Sequence, residues 1–222
     1  MLIKYLLLLM ATANFTSRAA DLSPNLTKFG KNKCIPKIIE KPILIALSYY
    51  PELEDTHIKF VFKKHINGSV MQAQPLPVSI FKSRENRQYQ INISSMLRLI
   101  HSATPIHQLP DNIIIGWIGH ELGHIMDYEQ RSKLGLVKFG ITYLFSSGHR
   151  RQGETNADTY AVNHGLADYI IATKRFILDN AELPKAYKEK IARLYLSPDD
   201  IVEQVRKLEE KKAIEQKKAL RQ

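Results

Sequence analysis

Residues 113–130 read IIIGWIGHELGHIMDYEQ. Two histidines and a glutamate, His120, Glu121 and His124, fall within five positions of an otherwise apolar run. Asp111 or Asn112 can cap a helix that starts just before this stretch and runs to about Gln130. On a helix, residues four apart lie on one face with Cβ atoms about 5–6 Å apart. His120 and His124 can therefore both reach one ion with bonds of roughly 2.0–2.1 Å. Glu121 sits about 100° further round, where it can flank a water on that ion rather than join the ligands. This is the H-E-x-x-H geometry of two ligands and one general base. Gly116, Gly119 and Gly123 lower helix propensity. They make sense where another element or a substrate backbone must come close. Without a metal, the same residues would be a polar spot on a core helix.

A catalytic zinc site takes three protein ligands and keeps one position open. The third ligand is sought downstream in RQGETNADTYAVNHG, residues 151–165. Glu154 and Asp158 are again four apart, on one face of the next expected helix. Glu154 can complete the ligand set, and Asp158 can accept the free ring N–H of a ligand histidine. The 30 residues between His124 and Glu154 leave room for an intervening helix and a return loop.

HELGH followed by ETNAD resembles the H-E-x-x-H…E-x-x-A-D pattern of gluzincin zinc metallopeptidases. It is most similar to the family that includes the CAAX prenyl proteases and their soluble bacterial relatives, over about residues 111–172. The resemblance implies a zincin-like α+β fold, with His120, His124 and Glu154 holding Zn2+. It implies Glu121 as the base that activates a metal-bound water, and Asp158 behind a ligand histidine. The expected activity is hydrolysis of peptide bonds in a peptide or protein substrate by an endopeptidase. His149, Arg150, Tyr160 and His164 are candidates for stabilising the transition state. Unlike membrane-embedded relatives, the chain shows no transmembrane hairpin. LGLVKFGITYLF, residues 134–145, is too short to span, although it could touch a membrane surface. A catalytically silent zincin-fold binding or assembly protein of the cell envelope is the alternative; the intact Glu121 speaks against it.

The chain begins MLIKYLLLLMATANFTSRAADLS, with a lysine, a short apolar run and then small residues. That is the order of a signal peptide, expected over residues 1–19, and it implies a bacterial periplasmic or secreted protein. Without Lys4 and Arg18 the formal charge falls from +10 to +8. A single cysteine, Cys34, cannot form an internal disulfide. A hydrophobic share of 44% and a charged share of 24% exclude wholesale disorder. Much of the basic excess lies in RKLEEKKAIEQKKALRQ, mixed with glutamates. This reads as a solvated helix rather than a nucleic-acid site. A monomer is expected, with peripheral contact to membrane or envelope as a further option.

Residues 20–40 read as an extended lead-in, 41–196 as the peptidase domain and 197–222 as a charged C-terminal helix. Within the domain, ILIALSYY, HIKFVFKK and QYQINIS read as strands, with a turn at Asn67-Gly68. PLPVSIFKSRENRQYQINI reads as two strands joined near Arg84–Asn86. A small, mostly antiparallel sheet is expected because the connections are short. The strand at 87–94 is expected at an edge, where it could pair with an extended peptide. SSMLRLIHSA reads as a short helix, 131–146 as a helix, SSGHRRQG as a loop, and 154–177 as one helix. Residues 185–196 form another helix, and Ser197-Pro198-Asp199-Asp200 opens the last one.

Overall fold

The computed structural model describes residues 24–219, so the expected signal peptide lies outside the described residues. The fold is α+β: small sheets come first and a helical half follows. The main sheet contains β1 (Lys33–Cys34), β2 (His57–Lys63), β3 (Met71–Pro75) and β4 (Gln88–Ser94) in the order β1-β2-β4-β3. A second sheet pairs β5 (Met96–Arg98) with β6 (Ala103–Pro105). The helices are α1 (Pro24–Thr27), α2 (Glu40–Ser48), α3 (Asp111–Glu129), α4 (Lys133–Phe145), α5 (Ser147–Asn163), α6 (Ala167–Asp179), α7 (Lys185–Leu194) and α8 (Pro198–Ala219).

The main sheet is mixed, not mostly antiparallel. β1 and β4 both run parallel to β2, and only β3 runs antiparallel to β4. The short connection through Asn67-Gly68 does reverse the chain between β2 and β3. The two are not neighbours, however, because β4 slots between them. β4 is therefore internal, and β3 forms one edge of the sheet, with β1 at the other. The first half of the expected strand pair at 75–93 is a 3₁₀ turn at Pro77–Ser79, preceded by Pro75. A proline cannot donate to a ladder.

Five other elements differ from expectation. ILIALSYY lies largely in α2, with Ile43, Ala46 and Leu47 buried at helical spacing. A short apolar run does not by itself distinguish the two states. SSMLRLIHSA forms most of the β5–β6 hairpin instead of a helix. The lead-in is not extended throughout: α1 is helical, and β1 joins the sheet beside β2. SSGHRRQG supplies the opening turns of α5, capped by Ser146. The expected long helix at 154–177 breaks at Gly165, whose φ is +85°. Gly165 and Leu166 N–H groups close the end of α5 on Val162 and Ala161 carbonyls, a glycine stop. α8 starts where expected: the Ser197 hydroxyl accepts from Asp200 N–H at 3.1 Å, and Asp200 accepts from Ser197 N–H at 2.9 Å.

α3 is the axis of the molecule. Every residue from Ile113 to Tyr128 is buried, with α2, α5, α6 and β3 packed around it. Gly116 and Gly123 allow this. A Cβ on Gly116 would stand 2.4 Å from the Tyr169 carbonyl oxygen, and one on Gly123 would stand 2.3 Å from that of Ala157. Both obstacles are neighbouring helix backbones. We expect Gly123→Ala to destabilise the protein by about 1–3 kcal/mol, as overpacking does. Gly140→Ala, where nothing lies within 4 Å, is expected to be neutral or slightly stabilising. Urea unfolding of both variants checks the contrast.

Candidate metal centre

α3 supplies His120, Glu121 and His124, and the buried face of α5 supplies Glu154 and Asp158. The two histidine Nε2 atoms converge on one carboxylate oxygen. Glu154 Oε2 lies 3.0 Å from His120 Nε2 and 3.3 Å from His124 Nε2. Donor atoms of the three residues all fall within 4.8 Å of one another. Two ligands bound at 2.0–2.1 Å to one tetrahedral ion stand about 3.3–3.4 Å apart. The spacing thus fits a metal ion held by His120, His124 and Glu154, all of them buried.

Second contacts hold these groups in place. His120 Nδ1 donates to Asp158 Oδ1 at 2.9 Å, which leaves Nε2 turned towards Glu154. Asp158 Oδ2 accepts from Lys174 Nζ at 2.8 Å and from Leu196 N–H at 3.1 Å. The Tyr143 hydroxyl donates to Glu154 Oε1. Burial and the nearby Glu154 carboxylate push the Tyr143 phenol well above its usual range, so it stays a donor. His124 Nδ1 is buried with no partner among the described residues.

Glu121 stands apart from the three-residue cluster. Its Oε2 accepts from Ala73 N–H of edge strand β3 at 2.6 Å. Burial raises its carboxyl, and the histidines only partly oppose this. Burial would also raise Glu154 and Asp158. The two imidazoles hold Glu154 well below the usual range, while Lys174 and His120 hold Asp158 low. Burial disfavours charge on His120, but Asp158 and Glu154 outweigh it and raise the ring to about 10.

Glu121, His124 and Glu154 line a cleft of about 440 Å³ whose walls come from β3 and α4. That volume lies in the range of ligand-binding clefts. The expected transition-state candidates divide. Arg150 lines the cleft, but its guanidinium also caps the Tyr143 and Leu144 carbonyls at the end of α4. His149, Tyr160 and His164 are not on the cleft wall. His149 bonds Ser146 in the first turn of α5. His164 bonds the Tyr160 carbonyl and Glu52 and stacks on Tyr50. Cys34 is exposed on β1, in a different depression.

Sequence reasoning missed Tyr143, Lys174, Lys190 and Tyr195. Lys190 and Tyr195 line the cleft, and the Tyr195 ring lies 5.3 Å from that of His120. Lys174 had a legible signal. It interrupts the apolar stripe of Ile170 and Ile177 on α6, as the histidines interrupt α3. Tyr143 had none, since its role depends on how α4 folds back over α5.

No family model, curated protein or solved structure matches the chain. What the site can do therefore follows from its own groups. The Lys174–Asp158 pair is fully buried, so removing the cation strands a charge. We expect Lys174→Met to cost about 3–5 kcal/mol. Lys174→Met with Asp158→Asn should recover part of that loss. Chemical denaturation of both single variants and the double variant measures the coupling.

Proposed function

We propose that the chain is a zinc-dependent endopeptidase of the gluzincin type. One observation carries this reading. Two imidazole Nε2 atoms converge on a single Glu154 oxygen at the floor of an open cleft, with the separate carboxylate of Glu121 beside them. His120, His124 and Glu154 are the residues that would hold zinc. When bound, zinc polarises a carbonyl oxygen and lowers the pKa of water from bulk to about 7.

The remaining work falls to the chain. Glu121 takes a proton from the attacking water and delivers it to the leaving amine. Its burial raises its proton affinity, which suits a group that must hold and release a proton. Ala73 N–H fixes the orientation of the carboxylate. Asp158 sets the tautomer of His120, and Lys174 keeps Asp158 ionised. Tyr143 ties one oxygen of Glu154 and leaves the other facing the histidines. Edge strand β3 forms one wall of the cleft, which supports an extended peptide as the substrate. A purely structural metal site would have no use for Glu121 at the cleft floor.

The test combines metal content with cleavage of a peptide library. Wild type and Glu121→Gln should each retain about one zinc per chain, while His124→Ala and Glu154→Ala lose most of it. Glu121→Gln should lower cleavage by about 10²–10⁴-fold. A folded wild type that takes up no zinc, or a Glu121→Gln variant that cleaves normally, refutes the proposal.

A further inference from the structure

Of the eleven large apolar side chains exposed among the described residues, five lie on α4: Leu134, Val137, Ile141, Leu144 and Phe145. Leu134 is 81% exposed and Phe145 86%. Their spacing places them on one face of the helix. The opposite face turns Leu136, Phe139 and Tyr143 inward. α4 is therefore apolar on both sides and buries only one. A solvent-exposed helix ordinarily pairs an apolar face with a polar one.

Charge indicates what covers the other side. Residues 130–153 contain Arg131, Lys133, Lys138, Arg150 and Arg151 and no acid. Arg131 is held by Asp127, and Arg150 caps α4. Lys133 and Lys138 on α4 are exposed and have no salt-bridge partner among the described residues, whereas Arg151, on α5, faces the charge of Asp200 on α8. A second copy of the chain is a poor occupant. A two-fold contact sets a patch against itself, so these cations would meet a surface that offers cations and no acid. Thirteen residues make a helix about 20 Å long, short of the roughly 30 Å that a membrane span requires. No described helix is long and apolar enough to cross a membrane.

We propose that the exposed face of α4 docks on the surface of an anionic lipid bilayer. Leu134, Ile141, Leu144 and Phe145 enter the boundary between headgroups and acyl chains. Lys133 and Lys138 meet the lipid phosphates. Leu144 also lines the cleft, so docking sets the mouth of the cleft beside the bilayer.

The test is flotation of the full chain with vesicles of phosphatidylcholine, alone or mixed with phosphatidylglycerol. Wild type should bind the mixed vesicles, and added salt should weaken that binding. Ile141→Ser with Phe145→Ser, and separately Lys133→Glu with Lys138→Glu, should each weaken it on the order of tenfold or more. All four side chains are exposed, and circular dichroism confirms that the variants stay folded. No binding to mixed vesicles overturns the proposal, as does equal binding to phosphatidylcholine alone. Variants that bind like wild type overturn it too. So does an Ile141→Ser/Phe145→Ser variant that alters only the oligomeric state in sedimentation velocity, which would mark the face as a contact between copies.

Discussion

A helix buried on every side cannot carry ionisable groups unless its neighbours answer each one. α3 is that helix, and His120, Glu121, His124 and Asp127 are its buried ionisable groups. Leaving any of them unpaired would cost several kcal/mol. The fold supplies each of them with a partner from outside the helix. Glu154 and Asp158 come from α5, the Ala73 N–H from β3, and Arg131 from the turn that follows α3. The position of α5 against α3 is therefore set by charge as well as by apolar packing. The glycines of α3 let the helix backbones approach closely enough for those short contacts.

The same arrangement separates rigid parts from adaptable ones. The groups that could hold a metal ion stand on two long helices locked together in the core, where a small displacement would spoil their convergence. Behind them, Lys174 carries the network into α6, and Leu196 N–H carries it to the segment before α8. Such a chain of buried polar groups is weak evidence for stability. The apolar core supplies the stability, at roughly 1.5–3 kcal/mol for each large side chain fully buried. The network determines which arrangement the core adopts. α4, by contrast, covers the cleft from outside with one face and leaves the other apolar face unburied.

The difference between α3 and α4 shows how local signals succeed or fail. HELGH lies within a long segment with a cap signal ahead of it, and ETNAD repeats the four-residue spacing 30 residues later. Both motifs rely on neighbours along one helix, a relation that spacing alone specifies. ILIALSYY and SSMLRLIHSA are each too short for their pattern to settle their state. Their states were decided by what they pack against: α3 for α2, and β6 for β5. The glycine stop at residue 165 was visible as Asn163-His164-Gly165, but the strong helical pattern on either side masked it.

The sequence by itself therefore determined the α+β class and the two helices that bring together His120, His124 and Glu154, the groups that could hold a metal ion. Each of these depends on residue type and on spacing within one element. Only the tertiary structure decided the strand order, which makes β3 an edge strand and places β4 inside the sheet. It also revealed Lys174 behind Asp158, Tyr143 on Glu154, and the positions of His149, Tyr160 and His164 away from the cleft. Those facts concern side chains from separate elements meeting in space. Spacing within an element carries no information about such meetings, because they are settled by how the whole chain closes its core around α3.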